Sequence, residues 1–158
     1  MLGIFQGQSG KLPNRLDIII PGSEIPIWFS EESMGHKVSI IVPSYQIHEL
    51  MGIALCIVFV PNKCHQHPRD CQLSCSFELN GCKMESLDTE LSEDHGKIEL
   101  HHLWLLYSSY PYFNPIRKKI LNDQLEIEIS TRSLEVKKVG VRLVYEQDIK
   151  DPNQTMAQ

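Results

Sequence analysis

The sequence predicts an all-β domain built from two packed antiparallel sheets, and three observations carry that expectation. Cys71, Leu73, Cys75, Phe77 and Leu79 alternate with Gln72, Ser74, Ser76 and Glu78 and run into Asn80-Gly81, the pattern of a strand with one core face and one wet face entering a tight hairpin. Residues 51–60 and the HHLWLLY segment ending at Tyr107 are apolar almost throughout. Their lengths suit strands buried on both faces and fall short of the ~20 residues of a membrane-crossing helix. Turn signals recur at short spacing without a sustained helical period, which fits roughly seven or eight short strands in a β-sandwich.

In chain order, residues 1–15 read as a flexible lead-in, 16–148 as the ordered sandwich and 149–158 as a polar tail. Ile18-Ile19-Ile20 stops at Pro21-Gly22, where a fixed φ followed by a permissive residue turns the chain. Pro26 and Gly35 confine 25–35 to a connection that tucks Trp28 and Phe29 over a sheet edge. Val38, Ile40 and Val42 make a strand closed by Pro43, and 51–60 is the central strand, closed by Pro61-Asn62. After the Asn80-Gly81 turn, 82–84 returns antiparallel. Residues 85–96 gather Glu85, Asp88, Glu90, Glu93 and Asp94 around two leucines, a composition that predicts an exposed loop. Residues 97–107 read as an interior strand, with a helix as the competing reading, and the prolines and aromatics of SSYPYFNP (108–115) predict a protruding loop. Leu125, Ile127 and Ile129 alternate with Glu126 and Glu128. A turn near Arg132-Ser133 leads to a last strand with Val139, Val141, Leu143 and Tyr145, and Asp148 opens the tail.

At 158 residues the chain suits one domain with a self-sufficient core. Its net charge of -5 disfavours a nucleic-acid binder, which needs concentrated positive surface to displace counterions. The basic clusters Arg117-Lys118-Lys119 and Lys137-Lys138 are short and read as solvated turns or gatekept strand edges. No stretch is long enough to span a membrane, and the N-terminal segment lacks the basic start and apolar run of a secretory signal. Five cysteines, an odd count in that setting, predict reduced thiols inside the cell. Cys71 and Cys75, four residues apart on one strand, would sit ~13 Å apart, beyond disulfide reach.

Phosphate-loop, dinucleotide and nucleophile-elbow motifs are absent. Cys64-His65-x-His67 with Cys71 has zinc-ligand residue types, but its spacing fits no standard finger and Cys71 is expected to face the core. A Cys-His nucleophile would need Cys56 or Cys64 beside His48, His101 or His102. Cys56, inside an apolar strand, reads as a small buried hydrophobe, and at least one of His101 and His102 as a core or edge residue. No catalytic residue, metal site or cofactor is assigned. Tyr107, Tyr110, Tyr112 and Phe113 flank two prolines and offer rigid amphipathic anchors for a partner, with capping of the sandwich by Tyr107 and Phe113 as the alternative. Trp28 and Phe29 read as core.

The motif Ile20-Pro21-Gly22-Ser23-Glu24-Ile25-Pro26 with Trp28-Phe29, the strand opening at Gly52, Asp94-His95 before HLWLLY, and the closing Gly140-Val141-Arg142-Leu143-Val144-Tyr145-Glu146 together resemble a known plant module. It is the C-terminal jelly-roll and immunoglobulin-like domain of intracellular immune receptors that carry a Toll/interleukin-1 receptor domain, a nucleotide-binding domain and leucine-rich repeats. The resemblance runs from about residue 17 to 148. It departs at Ile27, usually acidic in that family, at Val139, where a cysteine commonly precedes the glycine, and in the acidic 85–96 insertion. Ile27 is thereby expected to expose apolar surface.

The resemblance implies a non-catalytic jelly-roll or immunoglobulin-like sandwich, cytoplasmic or nuclear. Its implied partners are a pathogen effector protein and the leucine-rich repeats of the same or a related receptor, with no nucleic acid and no membrane. NAD cleavage in that family belongs to the Toll/interleukin-1 receptor domain, which this sequence does not match. Pro21, Gly22, Pro26, Trp28, Phe29, Gly52, Gly140 and Tyr145 are the framework. Contacts are expected from loops 44–50, 62–70 and 107–116, with Tyr45, His48, His65, His67, Arg69, Tyr110, Tyr112 and Phe113 as candidates. The rival reading is a stand-alone sandwich that binds a carbohydrate or another small ligand through an aromatic groove.

Overall fold

The structure, a computed structural model, describes residues 15–42, 50–61, 71–84, 86–91, 100–109 and 123–150. Among these described residues ten strands and one short helix follow in order: β1 (Arg15–Pro21), β2 (Glu31–Met34), β3 (Lys37–Val42), β4 (Leu50–Pro61), β5 (Gln72–Leu79), β6 (Cys82–Lys83), β7 (Leu87–Glu90), β8 (His102–Ser109), β9 (Asp123–Arg132), β10 (Leu134–Tyr145) and α1 (Glu146–Lys150). They form two antiparallel sheets, β1-β8-β4-β10-β2 and β3-β9-β5-β6, with β7 also pairing β5. The β-sandwich is therefore as the sequence predicts. From β3 onward the chain passes repeatedly between the sheets, as a jelly roll does.

Alternation places one core between the sheets. Leu73, Cys75, Phe77 and Leu79 of β5 and Leu125, Ile127 and Ile129 of β9 face Ile53, Leu55, Ile57 and Phe59 of β4 and Trp104 and Leu106 of β8. Asn80 and Gly81 have φ of 52° and 85°, the double positive φ of a type I′ turn, and Glu78 pairs with Lys83 across the hairpin.

β4 and β8 are buried on both faces because a second apolar cluster covers the far side of their sheet. Ala54, Cys56, Val58, Leu103, Leu105, Tyr107 and Val144 lie there beneath Trp28 and Phe29. The strap 22–30 links the two edge strands of that sheet across its outer face. It starts where the Gly22 N–H donates to the His101 carbonyl and ends where the Ser30 hydroxyl donates to the Val141 carbonyl. A turn within it, with the Phe29 N–H donating to the Pro26 carbonyl, drives the two aromatic rings inward. Trp28 and Phe29 thus cover a sheet face rather than a sheet edge, which corrects the sequence expectation. Gly140 lies under this strap because a Cβ there would stand 2.7 Å from Ile25 Cγ2.

Three further elements differ from the sequence reading. β2, taken as part of a connection, is an edge strand paired with Lys138–Val141 of β10. It shows little apolar pattern because most of its residues are exposed. β7 replaces part of the expected acidic loop: Leu87 and Leu91 are buried, and Asp88 accepts from the Ser74 hydroxyl through its carboxylate and from Arg15 through its carbonyl. Asp148 belongs to α1 rather than to a tail, accepting the Tyr145 N–H at 2.9 Å and the Arg142 guanidinium at 3.2 Å. Lys137 and Lys138 fall at a bulge in β10 rather than at a turn, with Lys138 3.6 Å from Glu24 of the strap.

Candidate recognition surface

The strand ends divide the expected contact loops between the two ends of the sandwich. Leu50 at the start of β4 pairs with Tyr145, Ser109 at the end of β8 pairs with Gly52, and Val42 at the end of β3 pairs with Asp123. The connections 43–49 and 110–122 therefore leave from one end, beside the Asn80-Gly81 turn and α1. Pro61, which pairs with Leu134, and Gln72, which pairs with Arg132, anchor 62–70 at the other. The ends of β4 are roughly 35 Å apart at ~3.3 Å per residue. Three loops expected to make one surface are anchored as a pair and a single.

Tyr45, His48, His65, His67, Arg69, Tyr110, Tyr112 and Phe113 lie outside the described residues. Tyr107 is described and is no contact residue. It is 1% exposed, its hydroxyl donates to the Met51 carbonyl at 3.2 Å, and burial pushes its pKa up to about 12. The alternative reading, that Tyr107 caps the sandwich, is the one the geometry supports.

Trp28, Phe29 and Gly140 meet at the strap, whereas Gly52 abuts Tyr107 and Ser108 of β8 and Tyr145 packs against the inter-sheet core. The Arg142 guanidinium lies 4.5 Å from the centre of the Trp28 ring and donates to the Trp28 carbonyl at 2.8 Å. Trp28 and Phe29 pack edge to face with centroids 5.1 Å apart. Sequence reasoning missed Arg142 as the residue that joins strap, β10 and α1. The signal available was a lone arginine among the apolar residues of a strand, which needs partners when partly buried. Ile27 is 86% exposed on the same strap, the apolar exposure expected of it.

The thiols and imidazoles do not assemble a reactive pair among the described residues. Cys56 sits under the strap, whereas His102 lies on the other face of the sheet against Phe59, with its Nδ1 3.1 Å from the Leu100 carbonyl. Burial pushes the Cys56 thiol up to about 12 and raises Cys75 further still. Cys71 faces the core as expected. Among the described residues no group of three or more His, Cys, Asp or Glu is placed to hold a metal ion, and no helix is long and apolar enough to cross a membrane.

Thiol labelling reports this arrangement directly. A thiol with pKa near 12 holds about a thousandfold less thiolate at pH 8 than an ordinary one near 9. Iodoacetamide on the native protein is expected to modify exposed Cys82 and spare Cys56 and Cys75, all three reacting in denaturant, as read by peptide mass spectrometry. Native labelling of Cys56 at the Cys82 rate would show that the strap does not seal the outer cluster.

These residues define a jelly-roll-type sandwich whose framework motifs hold one strap over one sheet and whose loops leave from two ends. The chain belongs to the C-JID domain family, whose model matches residues 20–150. It is also 29% identical over 147 residues to the disease resistance-like protein CSA1 of Arabidopsis thaliana, a match covering 80% of this chain and 12% of that protein. Two solved structures match weakly, each at 10% identity. Latent PorU from Porphyromonas gingivalis matches with a TM-score of 0.36 over 82% of this chain and 12% of its own. The insecticidal delta-endotoxin Cry8Ea1 from Bacillus thuringiensis matches with a TM-score of 0.32 over 75% and 19%. Likenesses that weak carry no functional argument.

Proposed function

We propose that this chain is the post-repeat recognition module of a plant intracellular immune receptor, acting in the cytoplasm or nucleus. It has no catalytic role of its own and contributes, beside leucine-rich repeats, to recognition of a pathogen effector protein. The observation that carries this reading is the family match over residues 20–150, joined to a resistance-like relative in which the matched part is 12% of the length. A module of that share acts in company.

The contact surface in this reading is the end from which 43–49 and 110–122 leave, with Tyr45, His48, Tyr110, Tyr112 and Phe113 as anchors. The connection that carries His65, His67 and Arg69 is anchored at the opposite end, at Pro61 and Gln72. The test is a receptor carrying this module, co-expressed in leaf tissue with a library of pathogen effectors and scored for cell death and co-purification. Combined Tyr110→Ala and Tyr112→Ala is expected to weaken capture of the matching effector at least tenfold while the melting temperature of the module is kept. Arg69→Ala is expected to change capture less than twofold. Undiminished capture by the double tyrosine variant overturns the assignment of that end, and a receptor that answers no effector but whose module binds a glycan with a raised melting temperature overturns the function.

A further inference from the structure

We propose that β3 is a self-pairing edge, through which two copies of this chain join antiparallel about a two-fold axis at Ser39 to make one continuous sheet. The phase of its hydrogen bonds sets the geometry. The Ile129 N–H donates to the His36 carbonyl at 2.8 Å, and Lys37 pairs with Glu128, Val38 with Ile127 and Ile40 with Leu125. Hydrogen-bonded pairs therefore fall at 36, 38, 40 and 42. The backbone N–H and C=O groups of Lys37, Ser39 and Ile41 point away from β9.

The other edges are guarded. The same reasoning from the Gly22–His101 bond turns Arg15, Asp17, Ile19 and Pro21 outward on β1. There Pro21 lacks an N–H, Arg15 and Asp17 are ion-paired at 2.8 Å, and Arg15 also reaches the Asp88 carbonyl. β2, β6 and β7 are four residues long or shorter. Short strands, proline and charge are how proteins blunt edges. β3 has six residues, one charge, no proline, and an Ile41 that is 53% exposed.

The edge is complementary to itself. Centred on Ser39, the pairing sets Lys37 opposite Ile41 of the partner subunit and Val38 opposite Ile40 of the partner subunit. The lysine stem then covers the exposed isoleucine, and half-buried Ile40 gains an apolar neighbour. The outward row reads Glu126, Ser39, Ser39 of the partner subunit, Glu126 of the partner subunit, because Ser39 pairs with Glu126. The like carboxylates stand three strand spacings apart, about 14 Å, beyond the screening length of physiological salt. Sliding by two residues one way brings Pro43, without a donor, opposite Lys37, and the other way leaves Ile41 facing the Gly35 turn. Charge and side-chain fit therefore favour a second copy in this register.

The inference is independent of the proposed function, and oligomeric state tests it. A junction of two edge strands is smaller than a standard ~1,600 Å² interface, so sedimentation is run over roughly 0.01 to 1 mM. The parent chain is expected to approach twice the monomer mass at the upper end. Ser39→Pro, which removes an outward donor and no bond to β9, and Ile41→Lys, which sets like charges face to face, are expected to stay monomeric, with melting curves verifying that each is folded. In a Cys64→Ser, Cys82→Ser background, Ser39→Cys is expected to form a covalent dimer on oxidation, since hydrogen-bonded pairs have Cα atoms about 5.5 Å apart, within disulfide reach. Ser130→Cys, on the same face two strands from the axis, is expected not to. A parent chain monomeric throughout, or Ser39→Cys crosslinking no more than Ser130→Cys, overturns the proposal. So does a chain that pairs β3 with a different protein while remaining monomeric.

Discussion

Gly52→Ala is expected to destabilise the domain by about 3 kcal/mol, at the upper end of overpacking costs. A Cβ at position 52 would stand 2.6 Å from the Tyr107 hydroxyl oxygen and 2.8 Å from Tyr107 Cζ, and would collide with the Ser108 carbonyl oxygen. The tyrosine ring can tilt, but the carbonyl belongs to β8 and is held by the β4–β8 register, in which Ile53 pairs with Ser108. Relief therefore requires prising apart two central strands. Tyr107→Phe alone removes one buried hydrogen bond to Met51, at a cost of about 1 kcal/mol. Because the missing hydroxyl oxygen is one of the three clashing atoms, the double variant is expected to be less destabilised than the sum of the singles. Urea unfolding of the four proteins measures this. A shift of about 3 kcal/mol corresponds to roughly 6–12 °C in a domain of this size. Gly52→Ala within 0.5 kcal/mol of the parent would mean that β4 and β8 sit further apart than the structure shows.

Much of this architecture was legible because strand alternation is a local property. Leu73, Cys75 and Phe77, or Leu125, Ile127 and Ile129, announce their face by sequence alone, and Asn80-Gly81 announces its turn by conformational freedom. What stayed hidden depends on partners distant in sequence. Ile25, Trp28 and Phe29 have no period that tells a face from an edge, and their destination is set by Gly140, more than a hundred positions on. β2 carries few buried side chains, so only its backbone bonds to β10 define it. The acidic composition around Leu87 masked β7, whose Asp88 is engaged by Ser74 and Arg15. The end at which each loop is anchored was hidden for the same reason, since register and strand length, rather than loop composition, decide it.

Trp28→Ala is the second large effect expected, about 3–5 kcal/mol, as for truncation of a buried aromatic. Trp28 is 4% exposed, and its removal opens a cavity bounded by Phe29 and the outer face of β4 and β8. It also takes the ring from under the Arg142 guanidinium. The hydrogen bond from Arg142 survives because its acceptor is the Trp28 backbone carbonyl, so Arg142 stays tethered over a void. Trp28→Phe keeps a ring at the site and should cost less than half as much. In a cycle with Arg142→Ala, the ring–guanidinium attraction appears as a coupling of about 0.5–2 kcal/mol. With total stabilities of about 5–15 kcal/mol, Trp28→Ala is expected to leave the strap detached at physiological temperature. Cys56 beneath it should then become open to iodoacetamide while the inner Cys75 remains protected. Equal exposure of both thiols would show that the outer cluster and the inter-sheet core unfold as one unit. Protection of both would show that the strap is held by something other than its tryptophan.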